Sequence, residues 1–224
     1  VGQYVIVPFG KSKITGIVWN EFEKNIKKHF KLKKIIKSID TPILNISTIK
    51  FLNWFSKYNL IPLGMSLKLH LLSNEAIESQ NHLELDKFIT SKKASKFKLS
   101  SEQEESVKQI TNNDKKFRVH VIQGITGSGK TIVYFNSLKK KIDQNFQGLI
   151  LLPEIGLTND FQKKFSDFFG FQPAIWHSSI TKKNKKIIWN GVATGKIKAV
   201  IGARSSLFLP FLKLGLIIVD EEHD

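Results

Sequence analysis

Gly124-Ile-Thr-Gly-Ser-Gly-Lys-Thr131 fits the phosphate-binding loop pattern G-x-x-x-x-G-K-[ST] at every defined position, and the fold is read from what flanks it. Upstream, Arg118-Val-His-Val-Ile-Gln123 is a short β-branched run that reads as a buried strand. Downstream, Ile132-Val-Tyr-Phe-Asn-Ser-Leu-Lys139 carries apolar residues near helical spacing. Strand, loop and helix in that order predict an α/β unit. The chemistry explains the residue types. Gly124, Gly127 and Gly129, with Ile125, Thr126 and Ser128 between them, let the backbone wrap a phosphate with its N–H groups, and the new helix adds the positive end of its dipole. Lys130 would reach the β- and γ-phosphates, and the hydroxyl of Thr131 would ligate Mg²⁺.

A second element of such a site follows far along the chain, where Leu214-Gly-Leu-Ile-Ile-Val-Asp220 runs into Glu221-Glu222-His223. An apolar strand delivers a carboxylate to its C-terminal end, where open α/β sheets bind ligands. Asp220 can hold Mg²⁺ through water, and Glu221 can orient or deprotonate an attacking water. The plainer alternative is an acidic strand end facing solvent. His223 is either structural or a sensor of nucleotide state. Between the two boxes the pattern alternates: strand Gly148–Leu152, a helix with Phe161, Phe165, Phe168 and Phe169, a strand near Ala174, a helix near Ile187, and strand Lys198–Ile201. That alternation argues for a RecA-like parallel sheet with the phenylalanines in its core.

Together these boxes resemble superfamily-two helicases, and the segments between them narrow the likeness to the PriA family of bacterial replication-restart helicases. The residues that carry it are the loop at 124–131, Leu152-Pro-Glu-Ile-Gly-Leu-Thr158, His177-Ser-Ser179, Ile201-Gly-Ala-Arg-Ser-Ser-Leu-Phe208 and Gly215-Leu-Ile-Ile-Val-Asp-Glu-Glu-His-Asp224. Val7-Pro-Phe-Gly-Lys11 with Gly16-Ile-Val18 also resembles that family's DNA-binding domain. The resemblance implies an ATP-dependent 3′-to-5′ DNA helicase that recognises stalled or abandoned forks and initiates primosome assembly, at the nucleoid in the cytoplasm. Its implied partners are forked and single-stranded DNA, the 3′ leading-strand end, primosome proteins and single-stranded DNA-binding protein.

The likeness also implies roles for single residues. Gln103, behind a helix cap at Ser100 or Ser101, sits like the helicase glutamine that reads adenine and would favour ATP; an exposed helix glutamine is the alternative. Pro153 and Glu154 follow one strand, and Arg204 and Ser205 follow another, so both loops should face DNA. There Arg204 and Ser205 would hold phosphates of the tracked strand without reading bases, unless Arg204 is simply an intradomain ion pair. Gly10 and Lys11, in Pro-Phe-Gly-Lys, and Lys33, on an expected strand Phe30–Ile39 before Asp40, match the family's pocket for the 3′ terminus. Gly10 would allow close backbone approach and Lys33 would contact the terminal phosphodiester, against plain readings as a turn glycine and a surface lysine.

Composition agrees with a polyanionic partner. Thirty-five basic against 19 acidic residues give a net charge of +16. Residues 1–60 alone hold eleven lysines and three acidic residues, although a lysine-rich solvated surface would look the same. A hydrophobic share of 41% is ordinary for a globular chain, and no apolar run approaches the ~18 residues that span a bilayer. The absence of cysteine excludes disulfides and cysteine-bound zinc within this stretch; zinc is expected only in the later part of the family.

Three regions follow. Residues 1–72 read as a small β-rich DNA-binding domain, with strands Gln3–Gly10 and Lys13–Trp19 and an amphipathic helix from Ser47 to Asn59. Residues 73–98 read as a linker with one short helix at most, too short for the winged helix that the family inserts here. Residues 99–224 read as the first motor lobe. Both ends look cut, since the chain opens at Val1 and stops just after the acidic box, so the second lobe is expected to follow and this stretch alone to turn over little ATP. Two alternatives stay open: another superfamily-two motor, an RNA helicase or DNA translocase, and a fork-binding module without catalysis.

Overall fold

The computed structural model describes residues 1–19, 33–71, 85–89, 98–112, 117–125, 127–153 and 158–220. In chain order these form β1 (Tyr4–Phe9), β2 (Ser12–Ile17), β3 (Lys37–Ser38), α1 (Ile46–Tyr58), α2 (Leu63–His70) and α3 (Ser101–Thr111). There follow α4 (Lys130–Asp143), β4 (Gln147–Leu151), α5 (Asn159–Phe169), β5 (Ala174–Trp176), α6 (Lys182–Ala193), β6 (Ala199–Gly202) and β7 (Leu214–Val219). Two compact units result. One is drawn from residues 1–84, 178–196 and 207–212, the other from 85–177, 197–206 and 213–224.

The second unit is the α/β one. Its sheet runs β5-β6-β4-β7 with every pairing parallel, for example Leu149 opposite Val200 on one side and Ile217 on the other. Parallel strands expect cover on their faces, and the aromatics of the flanking helices supply it. Tyr134, Phe135 and Leu138 from α4 meet Phe165, Phe168 and Phe169 from α5 over Ile150, Ile201 and Ile218. Phe165 and Phe169 stack at 4.2 Å, and Phe135 meets Phe165 edge-on at 5.5 Å. The expected phenylalanine core is therefore present, with Phe161 packed at its margin.

One expectation fails here. Residues 118–123, read as a buried strand, belong to no described strand, and Val119 and Val121 are 76% and 86% exposed. β-branched residues favour a strand only where a ladder and a packed face are on offer. Among the described residues the sheet has four members, and 118–123 is not one of them. Ile122 alone of this run packs against the aromatic core.

In the first unit, β1 and β2 form a hairpin from Tyr4 opposite Ile17 to Phe9 opposite Ser12, turning at Gly10-Lys11. Gly10 takes φ +58°, which a two-residue turn with glycine first can use at no steric cost. β3 adds to the other edge of β1. The strand expected from Phe30 to Ile39 shrinks to Lys37–Ser38 within the described part; residues 30–32 lie outside it. Ile35 and Ile36 are 54% and 45% exposed, so the run buries no apolar face there although the Ile36 N–H donates to the carbonyl of Ile6 at 2.9 Å, and Lys33 stands outside any strand.

Helix α1 matches its expected span. Asn45 caps it by accepting from the N–H of Thr48 at 2.7 Å, and Leu52 is buried. Phe51 and Phe55 close on Phe208 at 5.4 and 4.9 Å, which draws the 207–212 segment into this unit. The expected linker falls mostly outside the described residues; within them is a 3₁₀ turn at Asp86–Phe88. No helix among the described residues is long and apolar enough to cross a membrane.

A buried polar knot ties this unit together. Tyr4 donates its hydroxyl to Nε2 of His70 at 2.7 Å, while Nδ1–H of His70 donates to the carbonyl of Phe208 at 2.7 Å. That pair of bonds requires the neutral Nδ1–H tautomer. The indole N–H of Trp189 on α6 donates to the carbonyl of His70 at 3.0 Å, and Tyr4 meets the Trp189 ring edge-on. Burial pushes the His70 pKa from 6.5 down to about 4. The folded protein thus binds this proton less readily than the unfolded chain. Its stabilising contribution is full above about pH 6.5 and is lost as pH falls toward 4. Urea unfolding at pH 7 and pH 5 should differ by about 2 kcal/mol through this group, and His70→Gln should flatten that difference. An equal pH slope in the variant would contradict the assignment.

Candidate nucleotide and nucleic-acid site

Four helices begin with a side-chain cap: Asn45 for α1, Ser100 for α3, Thr158 for α5 and Thr181 for α6. Helix α4 does not. Its N-cap is Gly129 at φ +85°, with no side-chain acceptor for the first-turn N–H groups. A long helix with an open N-terminus after a glycine loop leaves N–H groups that an anion could accept from. Gly127 also sits at φ +83°, so the loop turns left-handed twice before the helix starts. Gly124, Ile125, Gly127 and Ser128 are exposed, and Gly129, Lys130 and Thr131 are half-buried. Thr126 lies outside the described residues.

Lys130 folds back onto its own loop. Its ammonium donates to the carbonyls of Gly124 at 2.7 Å and Ile125 at 3.2 Å. An incoming phosphate would exchange these carbonyls for a charge-assisted partner. Gln103 reaches the same loop from α3. Its Oε1 accepts from the N–H of Ser100 at 3.0 Å, completing a capping box, and its Nε2 donates to the carbonyl of Ser128 at 3.3 Å. The residue expected to read adenine is therefore beside the loop, with both ends of its amide engaged by the chain.

Asp220 stands half-buried at the C-terminal end of β7, and its N–H donates to the carbonyl of Leu151 at 3.1 Å. The hydroxyl of Tyr134, on the helix that the loop opens, donates to its Oδ2 at 2.7 Å. Loop and carboxylate are thus joined through one side chain. Among the described residues no group of three His, Cys, Asp or Glu could hold a metal by itself. One carboxylate and a threonine hydroxyl suit Mg²⁺, which keeps waters and takes phosphate oxygens rather than an all-protein cage. When bound with a triphosphate, it would neutralise charge on the phosphates. Glu221 and His223 lie outside the described residues.

Of the residues expected to face DNA, Arg204 and Ser205 are exposed at the start of a 3₁₀ turn that follows β6, and Pro153 is half-buried after β4. Glu154 lies outside the described residues. Gly10, Lys11 and Lys33 are all exposed. A Cβ at Gly10 would meet nothing within 4 Å, so its positive φ, not crowding by the fold, accounts for glycine there.

Comparison with known proteins decides the family. Residues 100–224 match the DEAD/DEAH box helicase model, more than half of the chain, and residues 1–71 match the PriA 3′DNA-binding domain. The chain belongs to the DEAD/DEAH box helicase family. Along its whole length it is 39% identical to the replication restart protein PriA of Rickettsia felis and 40% identical to that of Rickettsia prowazekii. It covers 34% of each of those relatives. Over 96% of the chain it is 35% identical to PriA of Borreliella burgdorferi, covering 33% of that protein. The chain therefore spans about a third of the relatives it matches, and the similarity lies in a 3′DNA-binding domain followed by a helicase domain.

Within this helicase domain, sequence reasoning missed Tyr134. Helical spacing marked it only as one apolar residue of a run, although a buried phenol usually finds an acceptor. The loop glycines give a separable test. Gly127→Ala meets open space and should cost about 1–2 kcal/mol for its left-handed φ alone. Gly129→Ala carries the same backbone strain and also puts a Cβ 2.6 Å from Nε2 of Gln103. Thermal melts should therefore rank Gly129→Ala below Gly127→Ala, and removing Gln103 in addition should bring the two together.

Proposed function

We propose that this chain is the DNA-binding and first motor part of an ATP-dependent 3′-to-5′ DNA helicase that recognises stalled or abandoned forks and starts primosome assembly. The observation that carries it is the uncapped, glycine-led start of α4 with Asp220 tethered to the same helix, in a chain similar to replication restart proteins along its whole length. In this reading Lys130 and the backbone of 124–129 hold the phosphates of ATP, Thr131 and Asp220 hold Mg²⁺, and Gln103 exchanges Ser128 for adenine. Glu221 activates water. Residues 1–72 form the 3′-end domain, 73–98 the linker and 99–224 the motor lobe, in keeping with the two matched family models.

Arg204, Ser205, Pro153 and Glu154 would contact the tracked strand through its backbone, while Gly10, Lys11 and Lys33 would receive the 3′ leading-strand end. Eleven lysines in the first 60 residues favour such a polyanion. Primosome proteins and single-stranded DNA-binding protein are the protein partners of this reading, zinc belongs to a later part of the family, and the place of action is the cytoplasmic nucleoid.

Two measurements test it. The 224-residue chain should bind ATP, and Lys130→Ala should lower that affinity at least tenfold, with little turnover by the chain alone. Binding should also favour a fork with a free 3′ hydroxyl over the same fork phosphorylated there, and Lys33→Ala should erase the preference. Equal affinity for both forks and for single-stranded RNA would leave a general nucleic-acid motor and remove the fork-specific part.

A further inference from the structure

A phenol buried among aromatics needs an acceptor, because the apolar surroundings supply none. Tyr134 is 4% exposed, lies edge-on to Phe135, and belongs to the aromatic core over the sheet. A phenylalanine would fill this position equally well. What the hydroxyl adds is its bond to Oδ2 of Asp220 at 2.7 Å. The geometry of the helix sharpens the point: Tyr134 stands four residues after Lys130 and three after Thr131, on the same face of α4. The element that carries the phosphate loop therefore also carries the donor that orients the strand-end carboxylate.

We propose that Tyr134 is a positioning residue for the Mg²⁺ site, holding the Asp220 carboxylate in the orientation from which it serves a Mg²⁺–nucleotide. The hydroxyl fixes one oxygen and with it the carboxylate plane, and the rigid aromatic packing of the Tyr134 ring fixes the hydroxyl. The backbone bond from Asp220 N–H to Leu151 holds the main chain, and the Tyr134 hydroxyl restrains rotation of the side chain. This rests on the reading of Asp220 as a Mg²⁺ residue given above.

The test is the ratio of affinities for a fluorescent ATP analogue with Mg²⁺ and with EDTA, measured on the 224-residue chain and on Tyr134→Phe. Loss of a hydrogen bond behind a metal ligand typically weakens the metal's contribution by about tenfold or more, so that ratio should fall roughly tenfold in the variant. Asp220→Ala should show at least as large a fall, and adding Tyr134→Phe to it should lower the ratio no further. An unchanged ratio in Tyr134→Phe, or a further fall in the double variant, overturns the proposal. A ratio near one in the unaltered chain overturns it too, by removing the Mg²⁺ role of Asp220. Loss of affinity in Lys130→Ala under both conditions would still stand, so failure here is distinguishable from failure of ATP binding itself.

Discussion

Backbone N–H groups can converge on one point only where the chain bends in a way that side chains resist, and the loop before α4 bends in that way. Gly127 and Gly129 make the bend, at φ +83° and +85°. Everything near them then has a defined place: α4 starts without a side-chain cap, Lys130 points back into the loop, and Gln103 leans on Ser128. A loop so dependent on backbone shape has little sequence freedom at its glycines and more at Ile125 and Ser128, whose contribution is an amide.

The loop needs a stiff base, and the aromatic core provides it. Tyr134 and Phe135 follow the loop by one helical turn and are locked among Phe165, Phe168 and Phe169. Close-packed aromatics do not deform smoothly, so displacement at the loop is resisted by the sheet beneath it. Lodging both the loop and the Asp220 tether on one helix makes their separation a property of that helix, not of two independent loops.

How much of this was legible depended on range. The helix after the glycine loop, the strand that ends before Asp220, the span of α1 and a cap at Ser100 or Ser101 are written in local residue choices, and the structure has these elements there, with Ser100 as the cap. The strand expected at 118–123 and the long strand ending at Ile39 were read from β-branched and apolar runs, which report willingness to pair but not the presence of a neighbour. The partner of Asp220 was beyond reach for a related reason: Tyr134 is 86 residues away in sequence. The resemblance singled out Gln103 for adenine and said nothing of the loop, and its bond to Ser128 joins residues 25 apart that no local pattern links.

The threading of the first unit bears on how it comes to exist. Its core takes Tyr4 and His70 from the N-terminal stretch, Trp189 from α6 and Phe208 from far downstream. Contacts of such sequence separation make closure slow, because loop entropy must be overcome before packing rewards it. On a ribosome adding residues in order, Tyr4 and Phe51 would wait exposed until the chain had passed residue 212 and left the tunnel. Domain borders drawn along the sequence are then poor guides to where the polypeptide can be cut, and residues made well before α6 are sealed only after it.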